Sequence, residues 1–301
     1  MVRASILRMV MYFDVFKHPL TIGELERLVA PGRRAAISAA CDALVAEGLL
    51  EATGRYRHSP GHSDWAARRA QRARWAEELW PRARRAAAVL ARLPFVRGVC
   101  ITGSLSKSAT TPDGDVDFLL LSAPGRVWSL KTLTQLARWP LPEPLRELFC
   151  TNYILSTDTL ALDARNLFTA VELATAVPMY GPSACAELIE ANPWARRFVP
   201  GLDWSLARAQ AALPLPSGGP AGATERLWSD AVAVRAERSA LSMWDRYWNR
   251  KYDWLPDEVR ARRFQRQAGT ATNHLHDFQD YVLREASARL SAAGLDEPVR
   301  L

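Results

Sequence analysis

Cysteine, histidine and lysine are scarce in this chain, and each shortage argues against a class of function. The 4 cysteines, Cys41, Cys100, Cys150 and Cys185, lie far apart with no Cys-x-x-Cys pair, so neither a disulfide framework nor a zinc site is expected. Three of them stand in apolar runs, where a thiol behaves as a small hydrophobe. Of the 5 histidines, His274 and His276 sit close together. Residues two apart on a helix point about 200° apart, however, and do not share a face for a metal.

Long hydrophobic runs are also missing. No stretch reaches the roughly 20 apolar residues that cross a bilayer. The apolar start is broken by Arg8 and Asp14 and has no small-residue cleavage site. A cytoplasmic protein with no membrane partner is expected, and no internal repeat is visible.

What is present is a globular composition, 49% hydrophobic and 24% charged, which supports a folded chain. Its 301 residues suffice for two or three compact units of roughly 100 to 150 residues each. The net charge of +7 is almost wholly arginine, since only Lys17, Lys107, Lys131 and Lys251 are lysines. That excess favours an anionic partner, a nucleotide or a nucleic acid.

The apolar positions Ile6, Met9, Val10, Phe13 and Phe16 recur at helical spacing up to His18-Pro19, where proline stops the helix. Thr21 with Glu24 three residues on has the form of a capping box opening a second helix, which runs to about Val29. A third helix spans about Arg33 to Glu47, Gly48 closes it, and a short hairpin around Gly54 follows. Over residues 1–60 this order resembles a winged helix-turn-helix. Arg33, Arg34, Arg55 and Arg57 could hold phosphates, whereas Ala35, Ala36, Ala39 and Ala40 offer nothing to read base edges. Packing on a neighbour or dimerisation is an equal alternative for this module.

A long arginine-rich helix is expected from Ser63 to about Arg92, kinked or split at Pro81. A buried strand follows over Phe95 to Thr102, then strands at Val116 to Leu121 and about Leu148 to Leu155, with a helix near Arg126 to Arg138 between the last two. Beyond Ser156 the pattern is mostly helical, interrupted by the proline- and glycine-rich loop 213–223. The expectation is an α+β protein: a winged-helix-like module at 1–60, an αβ core at 63–156 and a helical domain at 157–301.

Chemistry concentrates in Ile101 to Leu121, ITGSLSKSATTPDGDVDFLLL. Side chains alternate along a strand, so Asp115 and Asp117 project to one side and Val116 and Phe118 to the other. Two carboxylates held together beside a core are costly unless a cation lies between them. An oxygen-only shell completed by phosphates suits Mg²⁺. Gly103 allows close backbone approach to a phosphate, the Ser104 hydroxyl can bond its oxygens, and Lys107 adds a charge there.

Gly103-Ser104, ten residues, then Asp115-Val116-Asp117 is similar to the signature of the DNA polymerase β-like nucleotidyltransferase superfamily. The resemblance spans about residues 66 to 155. It implies a small αβ core in which Asp115 and Asp117 ligate Mg²⁺, Ser104 binds the phosphates of an NTP, and a nucleoside monophosphate passes to an acceptor hydroxyl. The superfamily usually adds a third carboxylate from a neighbouring strand. The matching strand here carries no acid and has Asn152 in that place, and an amide cannot accept the proton of an acceptor hydroxyl. Glu172 could substitute if its helix crosses the site. The alternative function is a regulator that binds nucleotide at a degenerate site and acts on DNA.

One further group could serve the acceptor side. Trp244, Tyr247, Trp248, Tyr252 and Trp254, interleaved with Arg246, Arg250 and Lys251, could stack on bases. At helical spacing such a stripe is more often core.

Overall fold

The computed structural model describes residues 2–139, 146, 150–202, 225, 230–264, 266–272 and 278–301. The expected loop 213–223, the helix expected at 205–212 and the pair His274 and His276 lie outside these residues. The architecture is α+β, as expected from the sequence.

The chain begins with helix α1 (Val2–Asp14), strand β1 (Leu20–Thr21), helices α2 (Ile22–Val29) and α3 (Arg34–Ala46), and strands β2 (Glu51–Thr53) and β3 (Tyr56–His58). The three strands pair antiparallel in the order β1-β3-β2. Thr21 opens α2 as the sequence suggests: its Oγ1 accepts from the Glu24 amide at 3.2 Å, and the Glu24 carboxylate accepts from the Thr21 amide at 2.8 Å. Two first-turn donors are thereby satisfied reciprocally. Gly48, with φ of 72°, ends α3 in the left-handed conformation that glycine adopts without strain.

Helix α4 (Asp64–Leu90) is continuous and contains Pro81 within it. Strand β4 (Val96–Ile101), the single turn α5 (Gly103–Ser106), β5 (Asp117–Ser122), helix α6 (Val127–Arg138) and β6 (Cys150–Ser156) follow. After these come α7 (Leu167–Thr175), β7 (Val177–Tyr180), α8 (Pro182–Glu190), α9 (Asp230–Lys251), α10 (Asp257–Arg263), β8 (Arg266–Gln267), β9 (Thr270–Thr272) and α11 (Phe278–Ala292).

The main sheet has six strands in the order β7-β4-β5-β6-β9-β8. Strands β5 and β6 are parallel and joined across α6, while the other neighbouring pairs are antiparallel. The segment after residue 156 was expected to form a separate helical domain. Instead it supplies three of the six strands, so the sheet runs across that boundary. Alternation alone did not reveal β7, β8 and β9, because strands of two to four residues are too short to establish a period.

Two hydrophobic cores lie on opposite faces of this sheet. One joins Ile6, Tyr12 and Leu25 of the first helices to Leu119 and Leu121 of β5, Leu167 and Val171 of α7, and Val282 of α11. The other packs Ala83 and Leu90 of α4, Phe118 and Leu120 of β5, Trp128 of α6, and Trp248 and Phe264. The N-terminal module is thus continuous with the rest through α1, which packs against α2, α3 and α11. The fold also brings the buried free thiols of Cys100 and Cys185 together at 3.2 Å.

The aromatic stripe of α9 divides by exposure. Trp248 and Tyr252 are buried, while Tyr247 and Trp254 are exposed. Trp248 meets Trp128, Trp244 and Phe264 at ring separations of 5.7, 5.6 and 5.4 Å. Helix α9 also supplies Glu237, which accepts from the first-turn amides of Trp128 and Ser129 at 2.7 and 2.8 Å and caps α6 with negative charge. The acceptor-side surface considered for this stripe is therefore, at its centre, core packing.

Replacing Trp248 with alanine should lower unfolding free energy by roughly 3–5 kcal/mol, the cost of a large core cavity. Urea denaturation measures it. A change below about 1 kcal/mol would mean that α9 docks without sharing the core.

Candidate functional site

Strand β5 starts on Asp117, with Asp115 just before it in the connecting loop. Leu119 and Leu121 of β5 face the core that contains α7, and alternation places Asp117 on that same face. At this end of the sheet the turn α5 crosses over Asp117. The Thr102 amide donates to the Asp117 carbonyl at 2.9 Å, anchoring the turn.

Gly103 adopts φ of 66°, and a Cβ built there would lie 2.0 Å from Asp117 Oδ2. Any side chain at 103 would therefore displace the carboxylate as well as strain the backbone. The sequence suggests that Gly103 makes room for a phosphate. What it accommodates directly is Asp117.

Ser104 lies in the same turn, half-buried, and its hydroxyl makes no hydrogen bond among the described residues. Lys107 was expected to meet phosphate. Its Nζ instead donates to the Gly103 carbonyl at 2.9 Å and pairs with Glu172 at 2.9 Å. Glu172 projects from α7, and its Oε2 also accepts from the Gly103 amide at 3.3 Å. The helix carrying Glu172 thus does reach the site, and Lys107 is the cation that holds it there.

Opposite β5, strand β6 contains a bulge. Asp117 pairs with Cys150, but Leu119 pairs with Tyr153, so β6 holds one extra residue. Such an insertion re-aims the side chains around it, and both Cys150 and Asn152 approach Asp117. Asn152 Nδ2 donates to Asp117 Oδ1 at 2.9 Å, and the Cys150 thiol donates to Asn152 Oδ1 at 3.1 Å. The amide is oriented with its NH₂ toward the carboxylate and its oxygen toward the thiol. In this arrangement Asn152 partly offsets the charge of Asp117 by hydrogen bonding and directs no oxygen at a cation.

Ligand atoms of Asp115, Asp117 and Cys150 lie within 4.8 Å of one another, a spacing that a single metal ion could bridge. Cys150 was not anticipated from the sequence. The available signal was its position two residues before Asn152 on the strand expected to face the acids, but its apolar neighbours marked it as core.

Electrostatics favour a cation here. Burial, then the charges of Asp115 and Glu172, raises Asp117 to about 6, against the smaller opposing effects of Asn152 and Lys107. Burial and the two aspartates push the Cys150 thiol up to about 11. At neutral pH the thiol is protonated, so two carboxylates form the effective donor set. Such a set fits a hard divalent ion completed by water or phosphate oxygens, whereas a softer ion would have to displace the thiol proton.

No family model, curated protein or solved structure matches this chain. No helix among the described residues is long and apolar enough to cross a membrane.

The raised pKa of Asp117 fixes a pH dependence. The folded chain binds that proton more tightly than the unfolded chain, whose aspartates titrate near about 3.9. The resulting stabilisation is present below the unfolded value and is lost as pH rises through about 6. Metal-free protein should therefore lose stability between about pH 4 and pH 6. Asp117→Asn should flatten that decline, and saturating Mn²⁺ should restore stability above it. Parallel wild-type and Asp117→Asn curves in thermal denaturation would show that this carboxylate is not the strained group.

Proposed function

We propose that the chain is a Mg²⁺-dependent nucleotidyltransferase of the DNA polymerase β-like superfamily, moving a nucleoside monophosphate from an NTP to an acceptor hydroxyl. The observation that carries the reading is convergence: Asp115 and Asp117 meet beneath the left-handed Gly103 turn, with Glu172 brought to the same place from α7. Three carboxylates against the one amine of Lys107 leave a negative site. A divalent ion bound to metal-chelated phosphates would balance it.

On this reading Asp115 and Asp117 hold Mg²⁺, which would neutralise the phosphates and orient the NTP. The free hydroxyl of Ser104 bonds a phosphate oxygen. The acceptor oxygen bonds to the α-phosphorus as the bond to the β-phosphate oxygen breaks, and pyrophosphate leaves. The acceptor proton must pass to a base. Asn152 has no lone pair of adequate basicity, and Glu172 supplies the carboxylate that β6 lacks. Asn152 keeps Asp117 oriented through the 2.9 Å hydrogen bond. The N-terminal helices and hairpin are read as a winged-helix-like module that contacts nucleic acid through Arg34, Arg55 and Arg57.

Incubation with each radiolabelled NTP, Mg²⁺ and cell extract should give label transfer that Asp115→Asn and Asp117→Asn abolish. Glu172→Gln should reduce the rate by about 10²-fold, the usual share of a general base. Asn152→Asp should preserve or raise it. Tight NTP binding with no transfer to any acceptor would overturn the enzyme reading and favour a nucleotide-sensing regulator.

A further inference from the structure

A basic concave surface lies on the other side of the turn that holds the acidic site. A cavity of about 690 Å³ opens between α2, the β2–β3 hairpin, α4 and the segment 106–108. A smaller cavity of about 350 Å³ adjoins it, and the two share Thr21, Gly23 and Arg55, so they form one groove. The smaller cavity is lined by Arg34 and Arg57, the larger by Arg27, Arg84 and Lys107, and Arg55 lines both.

Glu24 is the one acid lining this groove among the described residues, and Arg69 claims it at 2.8 Å. Arg34 reaches Glu26 only at 3.8 Å, with 70% of its side chain exposed, and such a pair contributes little. Arg27, Arg55 and Arg84 have no acidic partner among the described residues. The floor, by contrast, is fixed. Arg69 is 5% exposed and ties α4 to Glu24 of α2 and, at 2.8 Å, to the carbonyl of Ser108. Arg57 pairs with Asp42 at 3.6 Å, but the guanidinium groups of Arg27, Arg55 and Arg84 above this fixed floor describe a site for an anion.

Two of those groups are mounted on aromatic rings. Arg55 lies 5.1 Å from the Tyr56 ring centre, and Arg84 lies 5.8 Å from that of Trp80. Arginine planes and half-buried indoles are the surfaces on which unpaired bases stack, and their charge serves the phosphates between those bases. The cavity's volume falls within the usual range of ligand-binding clefts. Among the residues lining the larger cavity, Lys107 contacts the carbonyl of Gly103, the residue seated against Asp117. The groove therefore passes about one side chain from the acidic centre.

We infer that this groove binds single-stranded nucleic acid and leads its end toward the acidic site, making a strand terminus the acceptor class of the proposed transfer. The acceptor assignment rests on the proposed function, whereas binding of the strand does not. A double helix presents its bases already stacked, so the aromatic-backed arginines favour an unpaired strand.

The test is fluorescence anisotropy with a labelled 12-nucleotide oligo-uridine and a duplex of equal length, titrated with full-length protein at several salt concentrations. The single strand should bind more tightly than the duplex. Arg55→Glu with Arg84→Glu should weaken its binding at least tenfold. The milder Arg55→Gln with Arg84→Gln should make the log–log salt dependence shallower by about 1.4, the slope of two lost phosphate contacts. Arg74→Glu with Arg85→Glu, on exposed positions of α4 outside the groove, should stay within threefold of wild type.

Melting curves and Mn²⁺ binding should match wild type in the groove variants, and Asp115→Asn should keep full oligonucleotide affinity. Equal weakening by the two glutamate pairs, or tighter binding of the duplex, overturns the inference. Normal strand binding without nucleotidyl transfer leaves the groove standing and removes only the transfer reading.

Discussion

The arrangement turns on one carboxylate, Asp117, held at the mouth of a buried strand with Asp115 and Glu172 beside it. Like charges at this distance do not remain together without compensation. The protein supplies three partial compensations. Asn152 donates one hydrogen bond, Lys107 contributes a nearby positive charge, and Asp117 itself holds its proton up to about 6. None of these is a full counter-charge, and the residual field is what makes the place suitable for a divalent ion. Gly103 follows from the same constraint, since the carboxylate occupies the volume a Cβ would need.

The surrounding fold can be understood as the means of holding those groups still. Strand β5 is buried on both faces, which fixes the direction of Asp117, and the bulge in β6 brings two side chains to it instead of one. Helix α7 delivers Glu172 and packs on the same face of the sheet as α1 and α11. The N- and C-terminal segments therefore brace the site through a shared core although neither contributes a carboxylate. On the opposite face, Trp128 and Trp248 lock α6 to α9, and α6 is the crossover that sets β5 beside β6. Disturbing that contact acts on the site through the spacing of the two strands.

Much of this was legible in the sequence because the signals were local. Thr21 and Glu24 marked the start of α2, Gly48 the end of α3, and the run from Asp115 to Leu121 carried both its strand period and its chemistry. Asn152 was expected on the strand beside the acids, and it does donate to Asp117 there. What stayed hidden depended on distant contacts. Cys150 had the surroundings of a core thiol, and only the bulge turns it toward the acids. Lys107 had the position of a phosphate ligand, and only the approach of α7, 65 residues away, gives it to Glu172. Strands β7 to β9 and the meeting of Cys100 with Cys185 were likewise long-range outcomes that no local pattern encodes.

The segment from Gly103 to Ser108 separates two fields of opposite sign. On one side are Asp115, Asp117 and Glu172; on the other are Arg27, Arg55, Arg69 and Arg84. Burial first, and then Arg69, Arg72 and Lys107, hold His18 well below its usual pKa, so the positive side is felt even by a group set back from the groove. Lys107 lies on the dividing line, lining the basic groove while its amine is bound to Glu172. A polyanion drawn along the arginines would meet a site that repels it unless a cation were already there. In the proposed reaction this ordering is useful: the acids would first be neutralised by metal-bound nucleotide, and only then could a phosphate-bearing acceptor approach closely. Such a polarity requires the acids and arginines to be kept apart by a rigid turn, and the Gly103–Asp117 contact together with the Arg69–Ser108 hydrogen bond fixes both ends of that turn.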